Sequence, residues 1–364
     1  MAAGRVPGYA AAVRIGGRSE IHAGGRRRVE ADSPAMTEDS LFRIASITKP
    51  MGAALTLGLV EDGVLALDDP VERWLPEAAR TRVLTAPNAP LDQTTEVQRP
   101  ITVRHLLTMT SGWGVVMDDT PLQRAMIERG VFPSAMPTPM SGDEFMSTVA
   151  GLPLAFQPGD GFLYETGFNV LGVLLTRATG KSLSDLFAER ITGPLGMSDT
   201  AFAATDATRM TALYAPGPDG LHLLDPPDGA FVRPPQFEQL SGGLVSTAAE
   251  VLRFYTAMAD GGAPVLTPPS LTMMTSDQLT DDQRAKGAPF VGASTSWGFG
   301  TGVDLEAADP GTAPGRWGWT GGTGTCAYVD PSRDAVSVLL TQRAMMGPGD
   351  GPEPFWAAVA EAAT

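Results

Sequence analysis

Ser46-Ile47-Thr48-Lys49 is the one arrangement in this sequence with a direct chemical reading. At the head of a helix, residues i and i+3 lie on one face. The Lys49 amine can then reach the Ser46 hydroxyl, and the pair reads as a nucleophile with its own base. Lysine titrates near ~10.4 in water, so the reading requires burial or a nearby cation to lower that value. The first helical turn adds a partial positive charge and unpaired backbone N–H groups, which suit an oxyanion forming on an attacked carbonyl. The bland alternative is a solvated helix start with Ser46 as its N-cap.

Other chemistries find little support. The single cysteine, Cys326, excludes an internal disulfide and cysteine-based zinc or iron–sulfur clusters, and its setting in Thr325-Cys326-Ala327-Tyr328-Val329 reads as core. Three histidines, His22, His105 and His222, are too few for a multi-histidine metal site, and nothing around them supports a Ser-His-Asp triad. Gly180-Lys181-Ser182 copies the end of a phosphate-binding loop, but the glycine needed upstream is Leu175. Gly298-Phe299-Gly300-Thr301-Gly302 lacks the third glycine of a dinucleotide fingerprint and reads as bulges or close backbone approach. No cofactor and no metal are expected.

The formal net charge of −15 repels phosphate backbones and anionic lipid, so nucleic acid is not an expected partner. There is no apolar window of ~18 residues, which argues against a membrane span. The start Met1-Ala2-Ala3-Gly4-Arg5 lacks the apolar stretch of a secretory leader, so a cytoplasmic location is expected, although prior removal of a leader would leave the same start.

The positioning elements follow from pattern. Tyr9 to Ile15 and Arg18 to Ala23 flank Gly16-Gly17 and predict a hairpin. Ser46 to Asp62 predicts a helix that stops at Gly63, with Pro50 tolerable only in its first turn. From Leu65 to Leu240 strand alternation is scarce, and helices are expected at Val103–Met109, Gly142–Ala150, Gly167–Thr179 and Leu183–Arg190. A helix at Thr247–Asp260 then precedes strands at Gly298–Val303, Arg316–Trp319, Cys326–Val329 and Val336–Thr341, and a terminal helix near Pro354–Ala363.

At 364 residues the chain can hold two compact units or one interrupted core. The pattern predicts an α/β fold of the α+β type, an antiparallel sheet flanked by helices: residues 1–64 and 241–364 carry the sheet, and 65–240 form a mostly helical insertion. Gly and Pro, 42 and 31 residues, would then supply loops around a cleft between the two parts.

Phe42-Arg43-Ile44-Ala45-Ser46-Ile47-Thr48-Lys49-Pro50 resembles the nucleophile segment of the serine β-lactamase and penicillin-binding-protein superfamily, in its class C-like branch and closest to the family VIII carboxylesterases. Leu65 to Val71, Thr102 to Gly112 and Ser241 to Thr247 resemble further segments of that family, so the resemblance spans nearly the whole chain. The family's Tyr-x-Asn motif aligns with Tyr164-Glu165-Thr166. The tyrosine is kept, while the asparagine that would bind a substrate amide is Thr166. The resemblance gives Tyr164 a proton-relay role, which a phenol can fill if Lys49 favours the phenolate.

The Lys-Thr-Gly or His-Thr-Gly motif aligns with Trp319-Thr320-Gly321. The cation that would face a substrate carboxylate is missing, a charge-assisted contact typically worth ~1.5–3 kcal/mol. By analogy the Gly322 N–H joins that of Ser46 as the oxyanion hole.

The resemblance and its departures together imply a cofactor-free serine hydrolase cleaving small-molecule carboxylic esters, with short acyl chains expected, through an acyl-enzyme on Ser46. One alternative keeps the site but takes a β-lactam or D-amino-acid peptide, or passes the acyl group to another acceptor, with Arg316 or Arg343 supplying the missing cation. Another is a non-catalytic binding homologue, disfavoured because Ser46, Lys49 and Tyr164 are all present. Oligomeric state is not legible.

Overall fold

The computed structural model describes residues 6–347 and 350–364; Met1–Arg5, where the leader reading falls, lie outside them. One seven-stranded antiparallel sheet organises the fold. Its strands, in spatial order, are Arg18–Gly25, Gly8–Ile15, Ala335–Thr341, Thr325–Asp330, Trp317–Gly321, Gly302–Asp304 and Thr295–Trp297. The N-terminal hairpin forms where expected, because Gly16 and Gly17 adopt the positive φ of 54° and 78° that its two-residue turn demands. Its strand Gly8–Ile15 pairs with the last strand, Tyr9 opposite Thr341, so the first and last described strands lie side by side inside the sheet.

Helix Ala248–Ala259 packs on the strands Gly8–Ile15, Thr325–Asp330 and Ala335–Thr341. The helix Thr48–Glu61 is buried from Thr48 to Leu59. A helix apolar on all sides belongs inside a core, which makes Lys49 in its first turn conspicuous. Helices Gly142–Ala150 and Thr166–Thr179 lie within a residue of the expected spans. No helix among the described residues is long and apolar enough to cross a membrane.

Several expectations need correction. Ser46 is not a side-chain N-cap: it sits inside a single 3-10 turn, Ala45–Ile47, that leads into the α-helix. Of the predicted strand Gly298–Val303 only Gly302 and Val303 are strand; Gly298 to Thr301 form the turn between Thr295–Trp297 and Gly302–Asp304, because Gly300 takes φ +71° and Gly298 N–H bonds Thr301 O at 2.9 Å. The stretch 65–240 holds two hairpins, Arg82–Leu84 with Thr94–Glu96 and Leu213–Gly217 with Gly220–Asp225, the second hidden by Pro216 and Gly217. Helices Pro121–Glu128, Pro268–Met274 and Asp281–Val291 were not anticipated, and Leu183–Arg190 ends as a helix at Phe187 and continues as one π turn.

Candidate active site

The turn that carries Ser46 is fastened from two sides. Thr323 and Thr325 hydroxyls donate to the Arg43 and Ile44 carbonyls at 2.7 and 2.8 Å, and Ile44 N–H bonds Leu244 O at 3.0 Å. Gly321 lets the strand Trp317–Gly321 run against this turn, since a Cβ there would stand 2.5 Å from Ile44 O. Ala45, next to Ser46, is held at φ +47°, a conformation disfavoured for any residue with a Cβ. These restraints leave Ser46 partly buried at the floor of a cleft.

Lys49 reaches back one helical turn, as the spacing predicts, and its Nζ donates to Ser46 Oγ at 2.9 Å. The amine also donates to the Ser241 carbonyl at 2.6 Å and to Glu165 Oε2, and it stands 4.4 Å from the centre of the Tyr164 ring. Lys49 is fully buried. Burial alone would favour the neutral amine, but the Glu165 carboxylate and Tyr164 outweigh it, and the pKa is raised above the ordinary lysine value. This corrects the expectation of a depressed lysine: in the resting site Lys49 is an ammonium.

Tyr164 is buried beside it on a loop sewn to the segment before it, with Leu163 N–H on Met109 O at 2.9 Å and Val115 N–H on Tyr164 O at 2.8 Å. Its ring stacks on Phe290 at 4.2 Å and meets Trp297 edge-on at 5.8 Å. Burial pushes the phenol above its ordinary pKa. Lys49 pulls the other way without reversing the shift, so Tyr164 is a neutral phenol and the expected phenolate is corrected. Trp319 is more than an apolar face: its indole N–H donates to Tyr164 Oη at 2.5 Å. Gly302 makes room for that indole, since a Cβ there would meet the ring at 2.9 Å.

Glu165 is the residue that sequence reasoning passed over. It occupies the middle of the Tyr-x-Asn-like triplet, with φ +88° and ψ −71°, and Thr166 N–H bonds Tyr164 O across it at 3.3 Å. That is a γ-turn of the rare, strained hand, and it sets the carboxylate on Lys49. A charged residue between two motif positions was the available signal. Thr166 is buried, its hydroxyl has no hydrogen-bond partner, and it lines neither cavity at Ser46, so the candidate substrate contact at this position is not realised in the geometry.

Two cavities meet at Ser46, Tyr164 and Gly322. One, of ≈ 360 Å³, is walled by Phe132, Phe202, Phe231, Phe237 and Met136, and Glu165 is the one charged side chain among its lining residues. The other, of ≈ 400 Å³, is lined by Trp319 and Thr320 and by Asp304, Glu306, Asp309 and Glu353 around Arg316. Gly321, in contrast, serves the close backbone approach described above. Arg316 donates to Asp304 at 2.8 Å and Arg343 to Asp350 at 2.7 Å, so each cation put forward to replace the missing one already has a carboxylate. Cys326 is buried, and burial pushes its thiol up to about 12, which leaves it inert. Among the described residues no group of three or more His, Cys, Asp or Glu side chains could hold a metal ion.

Comparison with known proteins agrees with this architecture. A family model described as Beta-lactamase matches residues 1–361. Protein Rv1367c of Mycobacterium tuberculosis is 38% identical over 333 residues, covering 87% of this chain and 81% of the relative. Esterase EstB of Burkholderia gladioli is 33% identical over 339 residues, again covering 87% and 81%. The solved structure of "EstCE1, a hydrolase with promiscuous acyltransferase activity" superposes with a TM-score of 0.81 at 23% identity, over 99% of this chain and 94% of that one, and shares its fold.

Proposed function

Because this chain belongs to the Beta-lactamase family, which makes it a serine hydrolase with an esterase among its relatives, we propose that it cleaves neutral carboxylic esters through an acyl-enzyme on Ser46. Ser46 Oγ attacks the ester carbonyl, and the oxyanion settles between the backbone N–H groups of Ser46 and Gly322. Lys49 takes the serine proton and Tyr164, a neutral phenol, donates one to the departing alcohol. The Trp319 indole, by donating to Tyr164 Oη, leaves the phenol's own proton free for that task. Water then releases the acid. The same proposal keeps 1–64 with 241–364 as the sheet part and 65–240 as the insertion.

The observation that carries this reading is Lys49 Nζ at 2.9 Å from Ser46 Oγ, beside a cavity with apolar walls and without an unpaired cation. A carboxylate-bearing β-lactam or peptide would find no anchor at Trp319 and would meet Glu165. A short-chain p-nitrophenyl ester and a chromogenic cephalosporin test it directly. The wild type should turn over the ester, Ser46→Ala should lose at least about 10³-fold in kcat, and the cephalosporin should be the poorer substrate. Equal rates in wild type and Ser46→Ala would end the mechanism, and faster cephalosporin turnover would end the substrate assignment. An acyl-length series then tests the short-chain preference. Acyl transfer is a second reading, favoured by the second cavity that also reaches Ser46 and could seat an acceptor alcohol or amine.

A further inference from the structure

Lys49 has a proton to lose before it can act as a base. Its buried amine faces three acceptors, Ser46 Oγ at 2.9 Å, Ser241 O at 2.6 Å and Glu165 Oε2. An ammonium has three N–H donors and no lone pair, so the arrangement is complete when Lys49 is charged and leaves nothing to receive the Ser46 proton. Tyr164 is no substitute, since its oxygen already accepts from the Trp319 indole and it is held neutral. Of the three acceptors the carboxylate is far more basic than a hydroxyl or a backbone carbonyl, so it is the one able to take a proton from the ammonium. The chain accepts a strained γ-turn at Glu165 to put that carboxylate there.

We propose that Glu165 is the proton acceptor behind Lys49, taking the ammonium proton when substrate fills the cavity so that Lys49 can in turn take the proton of Ser46; this rests on the ester-cleavage reading above. Displacing water from the cavity weakens solvation of the buried ion pair and favours its neutral form, in which the proton has moved from Nζ to Oε2. The vacated lone pair of Lys49 accepts the Ser46 proton as Oγ bonds to the carbonyl carbon and the carbonyl π electrons move to oxygen. When the C–O bond to the alcohol breaks, its electron pair goes to the alcohol oxygen. That oxygen takes a proton from Tyr164, which recovers one from Lys49. Glu165 returns its proton to Lys49, and the pair is restored. The net change is one proton from Ser46 to the alcohol.

The titratable groups facing Glu165 are Lys49, from the helix Thr48–Glu61, and Tyr164, from its own loop; the other residues lining the apolar cavity include no Asp, Glu, Lys, Arg or His. The acid limb of the pH–rate profile therefore belongs to this cluster. The test is kcat/KM on a short-chain p-nitrophenyl ester from pH 4 to 10 for the wild type, Glu165→Gln, and Glu165→Gly, whose residue suits φ +88° if the glutamine variant fails to fold. Both variants should lose about 100-fold or more at pH 7. Their acid limb should move up by at least about one pH unit, because with the carboxylate gone it would report loss of the proton from the Lys49 ammonium itself. A rate within threefold of wild type, or a loss that is uniform in pH with the limb unmoved, overturns the proposal. Ser46→Ala, with a fluorophosphonate adduct on wild-type Ser46 read by intact mass, separates the two claims. An active Ser46→Ala removes the ester reading, whereas an inactive one beside an unmoved limb removes only the role of Glu165.

Discussion

Two buried cation–carboxylate pairs lie six residues apart along the chain and differ in kind. Arg43 grips Asp225 through both Nε, at 2.8 Å, and Nη2, donates to the Thr211 and Pro226 carbonyls, and lies 5.1 Å from the centre of the Phe231 ring. Its guanidinium cannot surrender a proton, and every one of its nitrogens donates a hydrogen bond, so this pair serves as a fixture joining the strand before Ser46 to the hairpin that ends at Asp225. Lys49 meets Glu165 through one atom, and that atom also donates to Ser46 Oγ. Equal charges thus serve a fastening in one place and a movable proton in the other, and the choice of arginine or lysine separates them.

Exchanging the cations is the hardest test of that difference. Lys49→Arg keeps the charge beside Glu165 but removes the mobile proton, so ester kcat should fall by at least about 10³-fold; retention of a tenth of the activity would erase the distinction. Arg43→Lys should do the converse, costing about 2 kcal/mol in urea unfolding as the forked contact is lost, while kcat per folded molecule stays within a few-fold. Trp319→Phe sharpens the comparison at the edge of the working pair. Without the indole donor to Tyr164 the kcat should drop about tenfold with KM little changed, and a rise in KM alone would make Trp319 a substrate contact instead.

The smallest effect concerns alkaline stability. The pKa of Lys49 is raised in the folded protein, so its ion pair stabilises fully below the unfolded lysine value and that stabilisation disappears as pH rises through the higher folded value. Thermal midpoints between pH 8 and 11 should fall more steeply for the wild type than for Lys49→Met.

Ser46 and Lys49 were legible because a helical period fixes their relation whatever surrounds them. The N-terminal hairpin was legible because few sequences other than Gly16-Gly17 satisfy two positive φ values in succession. The direction of the Lys49 shift was not, since it depends on a carboxylate 116 residues away whose aim is set by one strained backbone turn. The helix Asp281–Val291, which brings Phe290 onto Tyr164, escaped notice because it has little apolar face and carries Pro289 inside it. Trp319 could be read as apolar from its type, but only the folded register shows which end of the indole points at the phenol.

The pairing of the first strand with the last has a consequence for the timing of synthesis. The strand Gly8–Ile15 waits for Ala335–Thr341, and the turn under Ser46 waits for the hydroxyls of Thr323 and Thr325. At translation rates of roughly 5–20 residues per second, Ser46 emerges about a quarter of a minute to a minute before the strands that hold it. Until those strands are made, a nascent chain carries Ser46, Lys49 and Glu165 without the framework that holds them, so the site is assembled late in synthesis.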